Sequence, residues 1–179
     1  MSRIGKIPVV VPKEVNVNIH AETVELDGPK GKLLLKIPSG INVEFKDQQL
    51  HVHRLEDTKQ DRANHGTVRA HLVNIIQGIT QGHKKELEIQ GVGFRAQAQG
   101  AKILFNLGFS HPTEFLVPPD IKATVNNQTN IVIEGVDAAL VGQTAANIRS
   151  LKPVEPYKGK GIRYVGEFVR KKQGKSVTK

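Results

Sequence analysis

The hydrophobic pattern of this chain changes period, from two to about 3.6, and then makes the same change again. Few folds accommodate that. Val15, Val17 and Ile19 alternate with polar residues, and short apolar runs follow at 23–26 and 33–37. Ile41, Val43 and Phe45 alternate, and Leu50 and Val52 do so again after Asp47-Gln48-Gln49. Alternation puts every second side chain on one face, as a half-buried strand requires, and the last two runs read as a hairpin. The opening residues, with Pro8 and Pro12 around three valines, read as an extended arm leading into a strand. Asp27-Gly28-Pro29-Lys30-Gly31 reads as a turn. From about residue 59 the period becomes helical: Val68, Leu72, Ile75, Ile76 and Ile79 share one face of an amphipathic helix over 59–79. Gly78 and Gly82 bracket its end, where a domain boundary is expected.

The second half does the same. Leu87 and Ile89 alternate, Gly91-Val92-Gly93 interrupts, and runs at 94–99, 103–107, 115–117, 121–125 and 131–133 read as strands. Asp137 then sits where a helix cap belongs, and Leu140, Val141, Ala145, Ile148 and Leu151 share one side of a helix that Lys152-Pro153 stops. The halves also match loosely at particular positions, an agreement that shared apolar patterning alone could produce. Ile37-Pro38 with Ile41 matches Val117-Pro118 with Ile121, and Val52 matches Val132, at a spacing of 80. Gly66, Ala70 and Leu72 match Gly142, Ala146 and Ile148 at 76. One helix covers one face of a small sheet, so each half can close its own core. The expected fold is α+β: two similar domains from an internal duplication, 1–82 and 83–179, each a small, mostly antiparallel sheet with one covering helix.

Charge is distributed very unevenly over this frame. The stretch 152–179 holds nine Lys or Arg against Glu155 and Glu167, a net of +7. The first thirteen residues add Arg3, Lys6 and Lys13 with no acid, while 14–151 holds fourteen basic and fifteen acidic residues. Charge concentrated at the ends is the footprint of a grip on a polyanion. Within the stretch, Lys158, Lys160 and Arg163 alternate with Gly159 and Gly161, and Tyr157 and Tyr164 flank them. Glycine lets the backbone approach a bulky partner, and an aromatic face can stack on a base or ribose. For 173–179 taken alone, a solvated basic tail is an equally good reading. There is no Cys, which excludes disulfides, thiolate zinc sites and Cys nucleophiles. No apolar run reaches the ~18 residues of a membrane span, and the N-terminus lacks a secretory apolar segment, so a cytoplasmic protein is expected.

Several segments resemble one family. They are Ser2-Arg3-Ile4-Gly5-Lys6 with Pro8, the Gly28-Pro29-Lys30-Gly31 turn, and His65-Gly66-Thr67 with Arg69. In the second half they are Gly91-Val92-Gly93-Phe94-Arg95-Ala96, Asn106-Leu107-Gly108-Phe109-Ser110-His111-Pro112, and the run from Glu155 through Pro156, Tyr157, Lys158, Gly159, Lys160, Gly161, Ile162 and Arg163 to Tyr164. Together they are similar to the bacterial ribosomal large-subunit protein six family, and the last run is its most specific motif. Ile7 and Val154 depart from the pattern, standing where Lys and Pro are expected. The resemblance implies two α+β domains made by duplication. It also implies a structural role in translation: binding large-subunit rRNA near the sarcin–ricin loop, at the stalk base where translation factors dock, beside neighbouring ribosomal proteins. By position the RNA contacts fall on Ser2, Arg3, Lys6, Lys152, Tyr157, Lys158, Gly159, Lys160, Gly161, Arg163, Tyr164, Arg170, Lys171, Lys172 and Lys175. Neither cofactor, metal, membrane nor small-molecule substrate is implied. The other reading of the same charge layout is a basic adaptor for an acidic partner protein.

Other signals carry less. Gly91-Val92-Gly93-Phe94-Arg95-Ala96 fits a dinucleotide fingerprint, which needs a helix next; strand pattern follows instead, so a bulge or tight bend explains the glycines better. His51 and His53 share a strand face without a third ligand, and Ser110-His111 adjacency is not a catalytic pair. Asp57 and Asp61 read as a solvated helix face. No nucleophile–base–orienter set is present, so no enzyme is expected. Deleting 152–179 is expected to abolish RNA binding and leave both domains folded.

Overall fold

The computed structural model describes residues 4–20 and 22–175. It divides into two compact units. One takes the described residues up to His83 with Val136–Ala138; the other takes Lys84–Gly135 and the described residues from Ala139 onward.

The first unit holds β1 (Val9–Val10), β2 (Asn16–Ile19), β3 (Thr23–Gly28), β4 (Gly31–Lys36), β5 (Ile41–Lys46), β6 (Gln49–Arg54) and the helix α1 (Lys59–Thr80). Its strands form two three-stranded sheets, β2-β3-β4 and β1-β6-β5, and every pairing is antiparallel. Val24, Leu26, Leu50, Leu72 and Ile79 are fully enclosed in one core between sheets and helix. Thr58 caps α1: its Oγ1 accepts from the Asp61 N–H at 3.1 Å and donates to Asp61 Oδ2 at 2.6 Å. Asp61 is therefore buried, contrary to the solvated face expected of it. Gly40, at φ +87°, lies so close that a Cβ there would overlap Asp61 Oδ1.

The second unit holds β7 (His83–Gln90), β8 (Arg95–Gln99), β9 (Lys102–Asn106), β10 (Thr113–Leu116), β11 (Ile121–Asn126), β12 (Asn130–Gly135), the helix α2 (Ala138–Leu151) and β13 (Gly161–Tyr164). They form a three-stranded sheet, β10-β9-β8, and a four-stranded one, β11-β12-β7-β13. Leu87, Phe105, Ile131, Ile133, Ile148 and Ile162 close a second core. Gly91 and Gly93 adopt positive φ in the turn between β7 and β8, and a strand follows them, not a helix.

The fold is thus a duplicated α+β unit, with each half's ladder divided between two sheets. One detail of the repeat needs correction. The first-half hairpin turns on Asp47 and Gln48; its counterpart turns on Asn127, Gln128 and Thr129, one residue longer. Ile41 and Ile121 correspond at 80, but past the turn the offset is 81, so buried Val52 corresponds to buried Ile133. Val132, its expected match, points to the other face, because one step along a strand reverses the side.

Candidate nucleic-acid interface

The basic stretch begins where α2 ends, and backbone hydrogen bonds shape it. The Ile162 N–H donates to the Lys152 carbonyl at 2.9 Å, folding the chain back on itself. Inside that fold, the Glu155 N–H donates to Lys160 O at 2.8 Å and the Gly159 N–H to Glu155 O at 3.0 Å, which closes a small loop. Gly161, at φ +142°, is pressed against the returning chain: a Cβ would lie 2.7 Å from Pro153 O and from Val154 Cα. Only glycine fits there, for conformation and for space.

β13 then joins the sheet. Ile162 pairs with Ile89 and Arg163 with Glu88, and the Ile162 side chain is wholly enclosed. The Arg163 Nε–H donates to Glu88 Oε1. Tyr164 is half-buried against the second core, with the Arg149 guanidinium 5.7 Å from its ring centroid. Deleting 152–179 therefore removes a core strand, so the expectation that both domains survive it does not hold.

Beyond β13 the chain is clamped by Glu167. Its carboxylate accepts from Arg149 Nε and from the Tyr164 N–H, each at 3.0 Å, and Arg149 Nη2 completes a two-point contact. The Arg149 hydrogen bond is the chief reason that Glu167 lies below the ordinary carboxylate value; partial burial opposes it and the Tyr164 N–H reinforces it. The same bond raises Arg149. Farther on, the Lys172 N–H donates to Pro156 O at 2.9 Å, laying the tail beside the 155–160 loop.

The residues expected to meet RNA thus fall into two sets. Gly161, Arg163 and Tyr164 are built into the domain, Gly159 is buried in the loop, and Lys152 is half-buried with its Nζ 4.2 Å from the Phe109 ring centroid. Tyr157, Lys158, Lys160, Arg170, Lys171, Lys172 and Lys175 are exposed. None of these six cations forms an ion pair among the described residues. Lys6 is exposed in the first unit, while Ser2 and Arg3 lie outside the described residues. Sequence reasoning missed Arg149, Glu167 and Glu88, the residues that fix the surface. Their partners stand 18 or 75 positions away, and no local spacing signals them.

Among the described residues no group of His, Asp or Glu has a metal-holding arrangement, and no helix is long and apolar enough to cross a membrane. His51 and His53 stack on each other with centroids 6.3 Å apart. His65 is buried, with Nε2 2.9 Å from Val52 O. That geometry makes Nε2 the donor.

The chain matches the family model described as Ribosomal protein L6 over residues 11–82 and again over 90–165, one segment in each half. It is 46% identical over 179 residues to the large ribosomal subunit protein uL6 of Crocosphaera subtropica, covering the full length of both chains. The uL6 of Synechocystis is 45% identical with the same coverage, and that of Staphylococcus carnosus 46% over 98% of this chain and 99% of its own. The chain belongs to the ribosomal protein L6 family and is a structural constituent of the large ribosomal subunit, not an enzyme.

Proposed function

We propose that this protein binds large-subunit rRNA near the sarcin–ricin loop and the stalk base, and so helps to hold the surface where translation factors dock. The division into domains 1–82 and 83–179 belongs to the same reading, with the second domain carrying the RNA. The observation that carries it is the set of six exposed cations that form no ion pair among the described residues, carried on and after a loop that backbone bonds have already shaped. Preformed charge captures phosphates by displacing counterions, and a fixed surface then selects RNA by shape. Tyr157, about half exposed at the loop tip, adds a ring for stacking. Gly159, Gly161, Arg163, Tyr164 and Lys152 serve by holding the surface; Ser2, Arg3 and Lys6 add contacts from the arm.

Filter binding to a transcript spanning the sarcin–ricin loop tests this. Neutralising six phosphates should make affinity fall roughly 10³-fold between about 50 and about 200 mM salt. Changing Lys158 and Lys160 together to Ala should lower the salt slope by about two. Tyr157→Ala should weaken binding and leave the slope unchanged, since stacking releases no counterion. Salt-independent binding, or equal affinity for an acidic protein, would refute the proposal.

A further inference from the structure

Phe168 is the most exposed of the Phe and Tyr side chains among the described residues, at 92%. A lone exposed apolar side chain is ordinary on a protein surface. Three observations set this one apart. First, the chain is fixed on both sides of it: Glu167 is clamped by Arg149 and the Tyr164 N–H, and Lys172 is tied to Pro156 O. The ring is held out in advance, so less ordering is lost on binding. Second, exposure alternates along the segment, with Glu167 and Val169 half-buried and Phe168 and Arg170 exposed, so the ring and, two residues on, a cationic side chain are both left to solvent. Third, the cations that follow, Arg170, Lys171 and Lys172, have no acidic partner among the described residues. An apolar protein surface covering the ring would have to strip water from those charges. An RNA loop satisfies both at once, offering a flat base to the ring and phosphates to the cations.

We propose that Phe168 stacks on an unpaired base of the bound RNA. This rests on the RNA-binding reading and sharpens it: the surface takes a loop or bulge, because bases inside a duplex are already stacked on their neighbours.

The test uses the full-length protein and a transcript spanning the sarcin–ricin loop, with filter binding at several salt concentrations. Phe168→Ala should weaken binding about 5- to 150-fold, the range that stacking of one base supplies. Phe168→Leu, apolar without a ring, should lose nearly as much, and Phe168→Tyr should restore affinity. The salt slope should be the same in all of them, and the thermal midpoint unmoved, since the ring touches no core. Wild-type affinity in Phe168→Ala, while the Lys158/Lys160 double variant still weakens, overturns this inference and leaves RNA binding standing. Failure of the wild-type protein to bind overturns the RNA reading itself. Wild-type affinity in Phe168→Leu also overturns stacking. So does a Phe168→Ala protein that binds the transcript normally but is lost from reconstituted subunits, which places the ring against a protein neighbour.

Discussion

The two halves share a plan and differ at one sheet edge. In the first, the outer strand beside β6 is β1, two residues long, and among the described residues nothing pairs beyond it in that sheet. In the second, β7 is eight residues long, and its outer edge is covered by β13. Covering an edge removes a template for unwanted pairing. Here the covering strand also brings the end of the chain back to the domain, with the cationic loop before it and the Glu167 clamp after it. Among the described residues, one copy of the repeated unit thus ends its sheet on a short strand, and the other adds a strand at the same place, with exposed cations before and after it. The exposed cations of the basic stretch lie before and after this extra strand, which extends the sheet beside the second core.

Four experiments test that contrast. The largest effect is expected from Ile162→Ala, which empties a fully enclosed site in β13. It should cost about 3 kcal/mol and lower the second unit's denaturant midpoint, leaving the first unit's transition in place. A single cooperative loss of both units would break the comparison. Next comes Gly161→Ala, where a Cβ meets backbone at 2.7 Å in a conformation reserved for glycine. About 2 kcal/mol is expected, again confined to the second unit in urea unfolding. Glu167→Gln should cost about 1 kcal/mol, because the clamp is partly solvated and screened. Its carboxyl lies below the ordinary value in the folded chain, so its contribution is present above the unfolded value and is lost as pH falls through the folded one. The wild-type and Gln proteins should converge in stability below the ordinary carboxylate range, as pH-resolved thermal melts would show. The smallest effect on stability is expected from Lys158→Ala, within about 0.5 kcal/mol by the same melts, because that side chain is exposed.

Much of the architecture was legible because apolar periodicity reports burial directly. Val24 and Leu26, Leu50 and Val52, and Val68, Leu72, Ile76 and Ile79 all lie in the core, as alternation and helical spacing require. β13 was harder to see. Ile162 and Tyr164 do alternate, but lysines and glycines surround them, so the segment reads as solvated before any partner strand is known. Asp61 was misplaced for a related reason: a carboxylate near a helix start is ordinarily exposed, and only the folded chain brings Gly40 and Thr58 around it. The slip from Val132 to Ile133 depends on one extra turn residue, which leaves both strands' patterns intact. For the candidate interface, charge and aromatic content marked the region. They did not separate cations that hold the fold from cations that face outward, because Arg163 and Lys158 look alike until Glu88 arrives from 75 positions away.

The position of β13 sets an order of events during synthesis. It follows every other strand and both helices, so the strand that completes the second core leaves the peptidyl-transferase centre after all of them. The first unit has every segment up to His83 available for folding long before that moment. The second stays unfinished until β13 has been made. A chain that stops between Ala138 and this strand holds every segment of the first unit but lacks the strand whose Ile162 fills the second core.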